Sequence, residues 1–179
     1  MKQLSVLISI VALYACSHKV AKVASSEKDL LKVMSYNIHH CNPPSAGSEI
    51  NVDTIAAVIR KYNPDLVALQ EVDVKTKRSG SVDQARLLGE KTGMQYYFFK
   101  AINHDGGEYG VAILSKEPVT SFKQYTLPTI PSSKGEPRIL STINIKTREG
   151  KELLFACTHL DAQRSDSNRL LQIEEIRSR

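Results

Sequence analysis

The chain has 179 residues, 41% hydrophobic and 24% charged, with 24 Lys and Arg against 19 Asp and Glu for a formal net charge of +5. That length supports one sizeable core, and the composition is that of an ordinary globular domain without repeats or low-complexity segments. The positive excess is mild and spread along the chain, so it permits an anionic substrate but does not argue for a nucleic-acid platform. Three cysteines, Cys16, Cys41 and Cys157, are too few for a disulfide framework, and no Cys/His spacing matches a structural zinc site. A Cys41–Cys157 pair stays open in an oxidising envelope, although Cys157 lies in an apolar run and reads as a buried thiol.

The amino terminus reads as a targeting segment. Lys2 forms a short basic region, and residues 4–14 are an apolar run too short to span a membrane. Leu13-Tyr14-Ala15-Cys16 resembles the bacterial lipobox, in which the cysteine becomes the lipid-modified first residue of the mature protein. Ordinary cleavage near Ala15 and an uncleaved anchor stay open. On this reading residues 1–15 are a lipoprotein-type signal peptide, 16–29 a polar tether, and 30–179 the folded domain.

The domain begins with a strand over residues 30–37. Residues 38–44 are a loop, since Pro43 and Pro44 forbid a continued ladder. Residues 51–62 form an amphipathic helix, with Ile55, Val58, Ile59 and Tyr62 spaced by three and four. Asn63-Pro64-Asp65 is the turn that launches the next strand, because proline fixes φ and biases its predecessor toward an extended backbone. That strand, Leu66-Val67-Ala68-Leu69-Gln70-Glu71-Val72, is apolar on both faces around one polar pair and reads as buried. Strand, helix, strand over 30–71 is a βαβ-like unit. A second helix over 83–92 ends at Gly93, a favoured C-cap residue. Strands follow at 94–102, 109–115, 119–127, 139–146 and 152–160, then a helix at 166–176. Mixed sheets packed face to face under helices are expected.

Strands in such a fold end together on one edge, where open α/β sheets place ligands. Asn37, Glu71 and His159 stand at three such ends and are expected to converge. An amide, a carboxylate and an imidazole suit a hard metal and a phosphate: Mg²⁺ takes oxygen ligands, and a histidine can stabilise charge developing on a phosphate. Each also has a structural explanation, Glu71 pairing with an arginine, Asn37 forming a turn, His159 packing in the core. His39 and His40 are set aside as metal ligands, since adjacent strand-like positions point their side chains apart.

Four segments, Met34-Ser35-Tyr36-Asn37-Ile38, Pro64-Asp65-Leu66-Val67-Ala68-Leu69-Gln70-Glu71, Tyr109-Gly110-Val111-Ala112-Ile113-Leu114-Ser115 and Thr158-His159-Leu160-Asp161, resemble in order and spacing the endonuclease/exonuclease/phosphatase family. The look is nearest to its bacterial envelope metal-dependent hydrolases. The resemblance implies an α/β fold, a four-layer sandwich of two mixed β-sheets flanked by helices. It implies Mg²⁺, with Mn²⁺ as the alternative, held by Glu71 with Asn37 contacting metal or phosphate. His159 would hydrogen-bond the scissile phosphate and stabilise the pentavalent transition state. Tyr109 and Arg138 would meet the substrate, and Arg78 and Gln84 would serve as scaffold or substrate contact; Val111 stands where the family commonly has Asn.

The family's later Gly-Asp-x-Asn and Ser-Asp-His segments, which orient the attacking water and supply the general base, do not occur after His159. The reading is that the carboxy-terminal part of the domain is missing, and that the chain as given is inactive or unstable by itself. The function expected of the whole is an Mg²⁺-dependent phosphodiesterase or phosphatase of the cell envelope. It would act on a phosphorylated small molecule, lipid or nucleotide and be held to a membrane through Cys16, with no protein partner implied. A lipid-anchored binding module or inactive fragment is one alternative. An extracellular nuclease is another, and would need a basic groove that the short Lys/Arg clusters do not supply.

Overall fold

Val33–Asn37 (β1) and Leu66–Val74 (β2) run parallel and side by side, joined by the helix Val52–Tyr62 (α1). The computed structural model describes residues 30–44, 47 and 49–179. The expected signal peptide, the tether and Cys16 lie outside the described residues. Asn51 caps α1 by accepting the Thr54 N–H at 2.9 Å. Its other end closes on Asn63 in the left-handed conformation. A loop bearing a 3₁₀ turn, Lys77–Ser79, leads to the second helix, Gln84–Thr92 (α2), capped by Asp83 and ended by Gly93 at φ +70°.

Gln95–His104 (β3) and Gly107–Ser115 (β4) form a hairpin, and β4 also pairs antiparallel with β2, so the first sheet has the order β1-β2-β4-β3. Val119–Leu127 (β5), Arg138–Lys146 (β6) and Glu152–Thr158 (β7) make a separate antiparallel sheet in sequence order. The first sheet is mixed and the second purely antiparallel; helices flank them, as expected. The βαβ unit is present with its strands as direct neighbours.

The side-chain period of two assigns β2 to both layers. Val67, Leu69 and Val72 pack with Ile55 and Ile59 of α1 and Leu88 of α2. Leu66 and Ala68 face the other way, toward Ile139, Ile143 and Ile145 of β6 and Cys157 of β7. Burying each large aliphatic of these layers contributes roughly 1.5–3 kcal/mol. Cys41 and Cys157 are both buried free thiols, so the pairing left open by the sequence is not formed. Burial pushes the Cys157 thiol up to about 12.

Glu71 was expected to end the second strand, yet the strand runs on to Val74. Gln70 pairs with Val111 and Val72 with Gly110, leaving Glu71 as the extra residue of a β-bulge at φ +59°. An unbroken alternation 67, 69, 71 would send this carboxylate into the apolar layer under the helices. The bulge gives that place to Val72 and releases Glu71 from the ladder.

The last helix, Ser167–Arg177 (α3), buries Asn168 and Gln172 while Leu170, Leu171 and Ile173 are exposed. Asn168 accepts the Ile130 N–H and Gln172 the Asp161 N–H, each at 2.9 Å, so polar side chains tie α3 to the loops on either side of β6 and β7. No helix among the described residues is long and apolar enough to cross a membrane.

Gly110 sits opposite two bulges at once, pairing with Val72 on one side and with Lys100, next to the extra residue Ala101, on the other. A Cβ here would lie 2.0 Å from the Phe99 carbonyl oxygen. Gly110→Ala should therefore lower unfolding free energy by about 2–4 kcal/mol, a large effect for one methyl group. Urea unfolding of the two proteins measures it, and an unchanged midpoint would contradict the packing described.

Candidate active site

Three strand ends supply the site. Asn37 closes β1 beside Gln70, Glu71 stands out of β2 at the bulge, and His159 follows β7. Asn37 Nδ2 donates to Glu71 Oε1 at 2.7 Å, and His159 Nε2 lies 4.0 Å from the same oxygen. The convergence expected from the sequence is present.

The partners of each group fix its chemistry. Asn37 Oδ1 accepts the His39 N–H at 3.0 Å, so the amide orients the Glu71 carboxylate with its NH₂ rather than adding a second oxygen beside it. Arg138 Nη1 lies 3.4 Å from His159 Nδ1. A guanidinium can only donate, so Nδ1 carries the lone pair and Nε2 the proton, facing the Glu71 side. Burial and then the Arg138 charge lower the His159 pKa from its ordinary value, against the pull of Glu71, which keeps the ring neutral at pH 7.

Arg138 is buried, ion-paired to Glu136 at 3.3 Å, and its Nε has no hydrogen-bond partner among the described residues. A cavity of about 10 Å³, on the order of one water, lies among Ala101, Tyr109, Gly110, Arg138 and His159. Burial and then the Glu71 charge raise the Tyr109 pKa, with Arg138 opposing, which places the phenol in the same electrostatic neighbourhood. Tyr109 and Arg138 thus line the same cavity as His159.

Arg78 does not. Its Nε and Nη2 grip the two oxygens of Asp73 at 2.7 and 2.8 Å, and its guanidinium lies 5.5 Å from the Tyr109 ring centroid. Asp73 is fully buried and also accepts from Thr76 Oγ1 at 2.7 Å and Ser79 Oγ at 2.5 Å. Burial alone would raise the Asp73 pKa, but the hydrogen bonds from Arg78, Ser79 and Thr76 outweigh it and hold the carboxyl below its usual range. These contacts favour the scaffold role of Arg78, one of the two left open by the sequence. Gln84, buried in α2, is scaffold too: it accepts the Asp73 N–H at 2.9 Å and donates to the His40 carbonyl at 2.6 Å. Asp161 is also structural, buried against Asn168 and Gln172.

The 38–44 loop holds the largest departure from expectation. His39, His40 and Cys41 take φ values of +46°, +45° and +59° in a 3₁₀ turn. Left-handed backbone costs a non-glycine residue about 1–2 kcal/mol, so three in succession mark a held, strained turn. Both rings consequently lie on one side, 4.3 Å apart, and the nitrogens of His39 and His40 and a Glu71 oxygen are all within 4.8 Å of one another. The strand-parity argument, which points these two side chains apart, does not hold at this turn. The prolines that end the ladder were the signal that strand geometry does not apply here.

A carboxylate and two imidazoles, with an amide that orients the carboxylate, form a donor set that fits a divalent cation. A cleft of about 320 Å³, lined by Tyr36, Asn37, Ile38, His39, Asn42, Pro43, Pro44, Ile55 and Glu71, opens at its side.

The model of the Endonuclease/Exonuclease/phosphatase family matches residues 34–140. Sphingomyelinase C of Bacillus cereus is 28% identical over 138 residues, covering 68% of this chain and 40% of that protein. The chain thus spans about 40% of the length of the curated relatives it matches. An endonuclease/exonuclease/phosphatase from Beutenbergia cavernae superposes with a TM-score of 0.68 at 24% identity, covering 82% of this chain and 43% of the other. The human Nocturnin catalytic domain with bound sulfate anion superposes with a TM-score of 0.59 at 22% identity, covering 83% and 58%. These superpositions establish the fold.

Arg78→Ala strands the buried Asp73 carboxylate. Breaking a buried pair typically costs 3–5 kcal/mol, and partial exposure of the arginine brings the expectation to about 2–3 kcal/mol. Thermal and urea unfolding would show it. A side chain engaged only with substrate would leave stability unchanged.

Proposed function

The chain belongs to the endonuclease/exonuclease/phosphatase family, and on that premise we propose that it forms the metal- and phosphate-binding part of an Mg²⁺-dependent phosphoester hydrolase. The observation that carries this reading is the single cluster Asn37–Glu71–His159–Arg138, with contacts of 2.7, 4.0 and 3.4 Å drawn from both sheets. Glu71 would hold the divalent ion, oriented by Asn37. When bound, that ion supplies charge neutralisation on the phosphate oxygens.

The chain's own residues do the rest. His159 Nε2–H, fixed as the proton-bearing nitrogen by Arg138, donates to a non-bridging phosphate oxygen, and strengthens as charge accumulates there. Arg138 adds its cationic charge behind the imidazole. Tyr109 walls the site with a neutral phenol. In the in-line reaction a water oxygen bonds to phosphorus as the bond to the leaving oxygen breaks. The cleft beside Glu71 has the volume of a small-ligand pocket and apolar walls in Ile38, Ile55, Pro43 and Pro44. The relatives named sphingomyelinase C make a phosphodiester of a lipid headgroup the first substrate class to assay. Placement in the cell envelope through a lipid on Cys16 belongs to the same proposal and rests on the lipobox-like segment.

Glu71→Gln removes one charge while keeping shape. In the purified protein it should abolish the Mg²⁺-induced rise in melting temperature and lower any Mg²⁺-dependent hydrolysis of bis-p-nitrophenyl phosphate by on the order of 10³-fold or more, with the circular dichroism spectrum unchanged. His159→Ala should leave the Mg²⁺ shift in place and cost turnover about 10²–10³-fold. An Mg²⁺ response that survives Glu71→Gln intact sinks the assignment.

A further inference from the structure

The site described above uses Glu71 and leaves the two histidines of the left-handed turn without a role. We propose that His39 and His40 complete, with Glu71, a mixed nitrogen–oxygen site that selects a first-row transition-metal ion such as Mn²⁺ or Co²⁺ over Mg²⁺. The inference rests on the reading of Glu71 as a metal ligand and names the ion that the site prefers.

The tautomer of His39 is the first support. Its Nδ1 lies 3.3 Å from the Asn42 carbonyl oxygen. A carbonyl only accepts, so Nδ1 carries the proton and the Nε2 lone pair is free, which is the pattern in which a protein carbonyl orients a ligating imidazole. His159, held by a guanidinium, has the opposite tautomer and is unsuited to that task.

Geometry is the second. Two ligands on one ion at about 2.1 Å are at most about 4.2 Å apart. One ring nitrogen from each histidine and a Glu71 oxygen already lie within 4.8 Å of one another, so small side-chain rotations, with shifts of about an ångström, bring the set around an ion. The turn is braced from both ends. The Cys41 N–H donates to the Ile38 carbonyl at 2.9 Å, and Gln84 holds the His40 carbonyl at 2.6 Å. Strained backbone of this kind clusters at functional sites, and here it holds two imidazoles beside a carboxylate.

Ligand chemistry decides the ion. Mg²⁺ takes oxygen donors and gains little from imidazole, whereas affinity for nitrogen donors rises along the first transition row. Imidazoles bound to Mn²⁺ or Co²⁺ therefore separate the two classes of ion at a site that a lone carboxylate would not discriminate.

The test compares the purified full chain with His39→Asn/His40→Asn, chosen because asparagine tolerates the left-handed backbone, and with His39→Gly/His40→Gly, which suits it as well. Isothermal titration with MnCl₂, CoCl₂ and MgCl₂ gives affinities, and pulsed electron paramagnetic resonance of bound Mn²⁺ detects directly coordinated nitrogen. The expected result is nitrogen coupling in the parent chain and its loss in both variants. Mn²⁺ and Co²⁺ binding should weaken about ten-fold or more while Mg²⁺ binding changes less than about two-fold. Parent-like Mn²⁺ affinity in the variants, absence of nitrogen coupling in the parent, or an equal fall for Mg²⁺ and Mn²⁺ would overturn the inference, the last by showing that the turn only orients Asn37 and Glu71. Failure of the underlying reading is separate: it appears as unchanged binding of every ion in Glu71→Gln.

Discussion

One extra residue in the most buried strand sets up everything else. With the two-residue period of β2, a carboxylate at position 71 would fall on the same face as Val67 and Leu69 and be forced under the helices, where an unpaired charge is prohibitive. The bulge hands that face to Val72 and frees Glu71 to meet residues from the other sheet. It is accommodated because the opposing residue is Gly110, whose missing side chain leaves room for the Phe99 carbonyl. A second bulge at Ala101 faces the same glycine from the opposite side, so the strain on both strands is taken up at one point.

Histidine chemistry in the site follows from what each ring is placed against. A guanidinium beside Nδ1 of His159 makes its other nitrogen a donor, suited to an anionic oxygen. A carbonyl beside Nδ1 of His39 makes its other nitrogen an acceptor, suited to a cation. The same side chain thereby presents opposite hydrogen-bonding faces at two places in the site. Burial and then the neighbouring arginine hold the His159 pKa below its ordinary value, and burial followed by Arg78 does the same for His40.

The elements legible in the sequence were those written in local physics. The spacing of Ile55 and Ile59, the Gly93 stop and the apolar run of β2 put α1 and α2 within a residue of their observed bounds and β2 at its observed start. Asn37, Glu71 and His159 could be brought together because strand ends were expected to gather on one rim, although Glu71 stands at a bulge within β2 and His159 comes from the other sheet. Features that depend on register or on long-range partners were not legible. A bulge leaves no mark in composition, so β2 was expected to stop at Glu71. Arg78 looked free for substrate because Asp73, five residues earlier, gives no sign in the sequence of being buried under four donors. His39 and His40 were judged by strand parity, when three left-handed residues had replaced the strand.

Asp73 also explains why the two halves of the site hold their relative position. It lies on β2 two residues beyond Glu71, and its side chain gathers Thr76, Arg78 and Ser79 into the loop that precedes α2. Its own N–H is taken by Gln84 of α2, and the other end of that amide reaches the His40 carbonyl. A continuous path of buried hydrogen bonds therefore runs from the bulged strand to the histidine turn through one side chain. Buried polar networks of this kind are costly when any member is removed, because the remaining groups lose their partners in a place that water does not reach. The spacing between the Glu71 carboxylate and the imidazoles is thus fixed by Asp73 and Gln84, which lie outside the cluster.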